Sequence, residues 1–211
     1  MPVRNAYKDY DPNGYYHIYT RGIDKRDIFL DEDDRLFFLS LFKRYLSVRP
    51  AKSKARVLYP HYYGRLTLLS YCLMDNHIHL FVQQHDRTAM QEFMKSLLAS
   101  YTTYFNKRHT RFGPLFQSRY LASRVSSESY FIHITRYIHL NPKNWRTYPY
   151  SSIRFYTGEA ETEWLNPQNI LSMFQNGTDY LSFVSDYEGY KRSLDDLKWE
   201  LANSKQLDTE C

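Results

Sequence analysis

Apolar residues in the first part of the chain follow the spacing of strands and of one helix. The stretch GYYHIYTRG (14–22) alternates as a strand does and ends at a glycine. Apolar side chains recur at i, i+3, i+4, i+7 and i+8 from Phe38 to Leu46, which predicts a helix that Asp31 can cap. The continuous apolar run 65–74 predicts a central strand, and a tight Asp-Asn turn leads into a second strand beside it.

The pattern continues with a helix, a strand and a further helix. The apolar stripe from Met90 to Phe105 has helical spacing, residues 118–126 alternate as a strand, and residues 129–141 predict a helix that Pro142 ends. The order strand, helix, strand, strand, helix, strand, helix predicts an α+β fold. We expect a ferredoxin-like, four-stranded antiparallel sheet with two helices packed on one face and the third helix lying against the same sheet.

A change in composition near residue 157 divides the chain. From Thr157 to the end there are eleven acidic and four basic residues, whereas Tyr101–Tyr156 holds nine Lys or Arg and one acid, Glu128. We therefore expect one domain over residues 1–157 and an acidic, mainly helical C-terminal appendage over residues 158–211. Helical stretches in the appendage are predicted near 166–174, 179–190 and 193–205.

The basic segment 101–156 is interleaved with tyrosine, phenylalanine and tryptophan. Cations bind phosphates and aromatic rings stack on unpaired bases, so this composition suits a nucleic-acid groove. A solvated protein surface is the ordinary alternative, and the composition alone does not separate the two.

Length and composition limit the class of protein. The chain has 211 residues, of which 43% are hydrophobic, which is enough for a sizeable core. No apolar run reaches the roughly 18 residues of a membrane span, and the first residues lack the apolar core of a secretory signal. Only Cys72 and Cys211 are present, so we expect no disulfide framework and a reducing, cytoplasmic location.

The stretch MDNHIHLFV (74–82) places two histidines in an otherwise apolar run. A strand turns alternate side chains to opposite faces, so His77, His79 and Phe81 share one face. Two imidazoles about 7 Å apart on a pleated face can hold a metal ion, or they can line a polar groove. The strand alone leaves both interpretations open.

The helix predicted over 129–141 carries polar side chains at helical spacing. His133, Tyr137 and Asn141 lie at i, i+4 and i+8, and Asn141 directly precedes the proline that ends the helix. With the histidine pair, this helix offers two imidazole nitrogens, a neutral amide oxygen and a phenol. A divalent ion held by neutral ligands keeps its full charge for a phosphate oxygen, and the phenol is then a candidate nucleophile.

Other residues of the same helix have weaker claims to a role. Tyr130 is the rival phenol, but its place at the helix entry suits a packing aromatic. His133 is a candidate helper of Tyr137, and both His133 and His139 are otherwise expected on the surface or in the groove. Ordinary roles are expected of three further histidines: His17, His61 and His85.

The ordered motifs resemble those of the HUH single-tyrosine transposases. The most similar branch is the tyrosine transposases associated with repetitive extragenic palindromes (REP), a group related to IS200 transposases. MDNHIHLFV followed by YIHLNP carries the resemblance, and YHIYTRG, FGPLFQSRY and YPYSSIRFYTG support it in the same order. The resemblance covers residues 14 to about 158.

The resemblance implies a metal-dependent DNA enzyme. In that family the histidine pair and an amide four residues after the tyrosine bind the metal, and the tyrosine attacks DNA. By position these are His77, His79 and Asn141 as ligands of Mg²⁺ or Mn²⁺, with Tyr137 as the catalytic residue. The implied activity is nicking and joining of single-stranded or hairpin DNA through a covalent 5′-phosphotyrosine.

Six basic residues are expected to contact the DNA. Three cluster at the entry to a loop, two lie on strand-like sequence expected beside the histidines, and one ends the first strand, where the family pattern supports it. They are Lys107, Arg108 and Arg111, then Arg119 and Arg124, and finally Arg21.

Two other functions stay open at this point. A domesticated relative would bind palindromic hairpins without cutting them, and a phosphoesterase would use the histidine pair to activate water. The sequence also leaves the oligomeric state open between monomer and homodimer. In some relatives the tyrosine helix is exchanged between two chains, whereas the REP-associated branch tends towards single-chain sites.

Overall fold

The computed structural model describes residues 10–125 and 128–189, with the side chains of residues 128 and 129 left undescribed. The predicted order of seven elements is confirmed. They are β1 (Tyr15–Arg21), α1 (Glu32–Leu46), β2 (Leu66–Met74), β3 (His77–Gln84), α2 (Ala89–Arg108), β4 (Leu121–Val125) and α3 (Glu128–His139). Three shorter helices follow: α4 (Ile153–Tyr156), α5 (Gln168–Leu171) and α6 (Gly177–Ser185).

The four strands form one antiparallel sheet in the order β2-β3-β1-β4. This order, with α1 joining β1 to β2 and α2 joining β3 to β4, is the ferredoxin-like topology, so the predicted fold class is confirmed. In the register of β1 with β3, His17 is opposite Phe81 and Tyr19 is opposite His79. The histidine strand therefore lies in the middle of the sheet beside β1.

The two faces of the sheet belong to separate cores. On one face Ile78, Leu80 and Val82 are buried with the apolar sides of α1 and α2. On the other face Phe81 is buried with Phe131 and Ile138 of α3. Because side chains alternate along β3, the face that carries α3 is also the face of His77 and His79.

Local contacts explain how the ends of the elements are fixed near the histidines. Asp31 caps α1 as predicted, since its carboxylate accepts a hydrogen bond from the backbone N–H of Asp34 at 3.1 Å. Gly22 ends β1, and its N–H donates to the carbonyl of Asn76, in the turn before β3, at 2.9 Å. A Cβ at Gly22 would lie 2.2 Å from the carbonyl oxygen of Arg26, so this junction requires glycine.

Within the segment after residue 158, α5 and α6 pack on the α3 side of the sheet, whereas Leu165 is buried in the core formed with α1 and α2. Ile170, Tyr180 and Val184 are buried in the same core as Phe81 and Ile138. The division of the chain at residue 157 stays a prediction, and the predicted helix at 193–205 lies outside the described residues. Among the helices of the described segments, none is both long and apolar enough to cross a membrane.

Candidate active site

His77 and His79 of β3 lie on the α3 side of the sheet, which we call the histidine face. The rings of His77 and His79 are perpendicular, with centroids 5.0 Å apart, and His79 is only 3% exposed. His77 is partly exposed, and its Nδ1 lies 2.7 Å from the side-chain oxygen of Asn76. The strand alternation predicted from the sequence thus brings the two imidazoles together at the start of β3.

A third histidine joins this pair from β1. Nε2 of His17 lies 3.0 Å from Nδ1 of His79, and the two rings are stacked with centroids 5.2 Å apart. Burial lowers the pKa of His17 to about 4, so the ring is neutral near pH 7. The sequence predicted only an ordinary role for His17. The position of His17 could have been inferred, because β1 alternates and a ferredoxin-like sheet puts β1 beside β3. These two features place His17 on the histidine face.

Tyr137 comes to the same face from α3. Its ring meets His79 edge-on with centroids 5.5 Å apart, and it meets His17 in the same way at 5.8 Å. Tyr137 packs on the two histidines and is still 40% exposed as a residue. Tyr130, the rival tyrosine, is 62% exposed at the other end of the helix.

Asn141 lies just beyond the C-terminal end of α3. Its side-chain nitrogen donates a hydrogen bond to the backbone carbonyl of Tyr137 at 2.8 Å, which ties the amide to the last turn of the helix. The amide is partly exposed and lies one turn after Tyr137, before Pro142 ends the helical path.

The chemistry of these donors suits a divalent cation. His77 and His79 offer neutral imidazole nitrogens from one strand. Asn141 uses its side-chain nitrogen for the hydrogen bond to the helix, so its side-chain oxygen can act as a ligand. Metal-binding histidines generally make a hydrogen bond through their second ring nitrogen, and His17 is in position to be that partner of His79. Within residues 10–125 and 128–189, no group of three or more His, Cys, Asp or Glu side chains could hold a metal ion.

His139 ties α3 to the body of the molecule. Its side chain is fully buried, with Nδ1 2.6 Å from the hydroxyl of Tyr180 and Nε2 2.7 Å from the hydroxyl of Ser152. Burial lowers the pKa of His139 to about 3. The expectation of a surface or groove position was wrong, because α6 covers this side of α3, a contact between distant segments that helical spacing does not reveal.

Arg136 makes a second tie between α3 and α6. Its guanidinium lies 4.2 Å from the ring centroid of Phe183 and 4.1 Å from that of Tyr187. It also donates a hydrogen bond to Nδ1 of His133 at 2.8 Å. Desolvation and the Arg136 charge both lower the pKa of His133. His133 therefore interacts with Arg136, and its ring lies 5.9 Å from that of Phe183.

Three of the basic residues predicted to contact DNA are held by protein groups. Arg108 binds Asp31, Asp33 and Asp34 at 2.6–2.9 Å, and the hydrogen bonds to Asp31 and Asp34 raise its pKa. Arg111 donates to the side chain of Asn106 and to the carbonyl of Pro114, both at 3.1 Å. Arg124 forms an ion pair with Asp11.

The other three residues predicted to contact DNA are Arg21, Lys107 and Arg119. Arg21 is opposite His77 in the register of β1 and β3, and its guanidinium is 5.5 Å from the ring centroid of Tyr19. Lys107 and Arg119 are exposed. Arg124 is opposite Tyr16, so it lies on the face of α1 and α2 rather than on the histidine face. Contact of these six residues with DNA stays a prediction.

A family model described as "Transposase IS200 like" matches residues 61–141, a segment that contains His77, His79, Tyr137 and Asn141. No curated protein matches the sequence. A solved structure described as a REP-associated tyrosine transposase bound to a REP hairpin covers 74% of this chain and 88% of its own, with 13% identity and a TM-score of 0.47. Over residues 61–141, the chain is therefore similar to the IS200-like transposases.

Proposed function

We propose that the protein is a metal-dependent endonuclease and strand transferase for single-stranded DNA, acting through a covalent 5′-phosphotyrosine at Tyr137. The observation that carries the proposal is the contact of the Tyr137 ring with His79, at 5.5 Å between centroids, by a tyrosine that is still 40% exposed. The match of residues 61–141 to the IS200-like transposase model supports DNA as the substrate.

In this proposal His77, His79 and Asn141 hold Mg²⁺ or Mn²⁺. The two imidazoles share a face of β3, and the amide follows the tyrosine by one helical turn. When bound, such a cation would stabilise negative charge on an oxygen of the scissile phosphate. The ligands are all uncharged in their metal-binding form, so they would not weaken that effect.

The chain itself supplies the nucleophile. The hydroxyl oxygen of Tyr137 forms a bond to phosphorus while the bond from phosphorus to the 3′ oxygen breaks. The proton lost by the phenol is balanced by the proton that the 3′ oxygen gains, which leaves a free 3′-OH and a 5′-phosphotyrosine. One phosphodiester replaces another, so the reverse step can join a new 3′-OH without a nucleoside triphosphate.

We propose hairpin-forming single strands as the substrate. The basic, aromatic-rich segment 101–156 suits an unpaired strand, and the partly exposed Tyr19, His77 and Tyr137 offer ring faces or edges next to the reacting group. The resemblance to the REP-associated branch makes a palindromic hairpin with a single-stranded flank the first substrate to test.

Covalent capture tests the proposal. A hairpin oligonucleotide labelled at its 3′ end is incubated with the protein and Mn²⁺, and the adduct is detected on a denaturing gel. We expect Tyr137→Phe to abolish the adduct while hairpin binding persists, and we expect EDTA to abolish it in the wild-type protein. Tyr130→Phe, a matched change in the same helix, should leave capture intact. An adduct that persists in Tyr137→Phe would refute the assignment.

The same assay separates the two alternative functions. Hairpin binding by the wild-type protein without any cleavage would favour a domesticated palindrome-binding protein. Cleavage that leaves a plain 5′-phosphate and no protein adduct would favour a metal-dependent phosphoesterase.

A further inference from the structure

His17 touches two residues of the candidate site, yet the proposed function assigns it nothing. Its Nε2 is 3.0 Å from Nδ1 of His79, and its ring lies edge-on to that of Tyr137 with centroids 5.8 Å apart. Tyr137 also contacts His79, so the three rings meet in one cluster. The residue comes from β1, outside the segment 61–141 that the family model matches.

The bond between His17 and His79 can be made in two ways. A neutral imidazole carries one N–H and one lone pair. If Nδ1 of His79 donates, Nε2 of His79 keeps its lone pair and can bind a cation. If Nε2 of His17 donates instead, the proton of His79 sits on Nε2, and that nitrogen cannot be a ligand.

We propose that His17 is a positioning residue that accepts the hydrogen bond from Nδ1–H of His79 and so puts the lone pair of His79 on Nε2, the nitrogen that would bind the metal. This inference rests on the proposed function, because it assumes that His79 is a ligand. Metal-binding histidines generally donate their second ring N–H to a fixed acceptor, and the nitrogen of His17 is the acceptor that β1 presents at 3.0 Å.

The stacked geometry gives His17 a second positioning role. The rings of His17 and His79 are within 10° of parallel, and the Tyr137 ring stands nearly perpendicular to both, at 83° and 87°. An apolar residue at position 17 would fill the sheet face but would leave Nδ1 of His79 without its acceptor. His17 therefore sets which nitrogen of His79 carries the proton, and it packs against the ring of Tyr137.

Two substitutions separate hydrogen bonding from packing. His17→Leu keeps an apolar filler but removes the acceptor. His17→Gln keeps an amide oxygen close to the position of Nε2. His85→Leu is the matched control, because His85 follows the far end of β3 and bonds to the hydroxyl of Thr67 at 2.9 Å. The thermal midpoint of each variant shows whether it is folded.

Two measurements are made on these proteins, neither of which requires activity. Titration with Mn²⁺, followed by electron paramagnetic resonance, gives the dissociation constant. The ¹⁵N chemical shifts of ¹⁵N-histidine-labelled protein without metal give the tautomer of His79, assigned with a His79→Gln spectrum. We expect the Nδ1–H tautomer in the wild type, about 10- to 100-fold weaker Mn²⁺ binding in His17→Leu, and affinity near the wild-type value in His17→Gln and His85→Leu.

The failure of this inference can be told apart from the failure of the proposed function. Wild-type Mn²⁺ affinity in a folded His17→Leu variant, or an Nε2–H tautomer of His79 in the wild type, would overturn the role of His17. If the wild-type protein binds no Mn²⁺, the proposed metal site fails. The metal-free tautomer of His79, compared between wild type and His17→Leu, then still decides whether His17 sets it.

Discussion

At the scale of single residues, Tyr180 holds the helix that carries Tyr137. Its hydroxyl is 2.6 Å from Nδ1 of the fully buried His139, two positions after Tyr137. Tyr180→Phe removes that hydroxyl and leaves a buried imidazole nitrogen without its partner. We expect a loss of about 1–3 kcal/mol in the free energy of unfolding, measured by urea denaturation, together with a lower rate of covalent capture.

Tyr130→Phe provides the comparison for this prediction. Tyr130 is 62% exposed on the same helix, so losing its hydroxyl should change the free energy of unfolding by less than about 0.5 kcal/mol. Equal stability of the Tyr180→Phe variant and the wild type would mean that the contact with His139 does not anchor α3.

Adjacent basic residues at the end of α2 are expected to differ in role. Arg108 binds Asp31, Asp33 and the buried Asp34 at the start of α1, whereas Lys107 is exposed. We expect Arg108→Gln to lower the thermal midpoint because Asp34 loses a cation that faces it. Lys107→Gln should leave the midpoint unchanged. A fall in hairpin affinity with Arg108→Gln, at an unchanged midpoint, would instead support the predicted DNA contact.

At the scale of elements, α3 packs on the sheet of its own chain. Phe131 and Ile138 are buried against that sheet with Phe81, while Arg136 and His139 are held by α6. A helix fixed at this many points favours a site completed within one chain.

Complementation tests this arrangement. A mixture of Tyr137→Phe and His79→Gln proteins should capture no more labelled hairpin than the two variants measured separately, because neither chain contains a complete site. Recovery of a substantial fraction of the wild-type capture in the mixture would show that α3 is exchanged between chains.

The elements were the part of the fold that the sequence predicted best. Three patterns match the observed elements within a few residues. Alternation in 14–22 corresponds to β1, the apolar run 65–74 to β2, and the stripe Met90–Phe105 to α2. These patterns are local, since each follows from the period of one strand or helix. The contacts of α6 with α3 join positions 40 or more residues apart, and no local period encodes them.

At the scale of the whole molecule, the sequence predicted which residues of β3 and α3 would meet, but not everything that surrounds them. His77, His79 and Tyr137 share a face because their spacing in a strand and a helix requires it once the two elements pack. His17 escaped notice because its position depends on the register of β1 with β3, and a lone histidine in a strand has no distinctive spacing. Arg108 and Arg124 could not be recognised as ion-pair partners, because their aspartates are distant in sequence.

The basic surface of the whole molecule should make DNA binding depend on salt. If Lys107 and Arg119 contact phosphates of a single strand, each neutral variant should reduce the slope of log K against log salt by about 0.7. Fluorescence anisotropy across a KCl series measures these slopes. Lys43→Gln, an exposed position on α1, is the control and should keep the wild-type slope. Unchanged slopes for Lys107→Gln and Arg119→Gln would remove both residues from the interface.

The role of Tyr137 as the nucleophile is tested most directly by identifying the amino acid that carries DNA in the covalent adduct. The wild-type protein is incubated with a hairpin oligonucleotide and Mn²⁺, the adduct is digested with protease and nuclease, and the modified peptide is sequenced by mass spectrometry. The proposed function predicts a nucleotide linked through its 5′ phosphate to the hydroxyl oxygen of Tyr137. Linkage to Tyr130 or any other residue, or cleavage with no linked peptide, would contradict it.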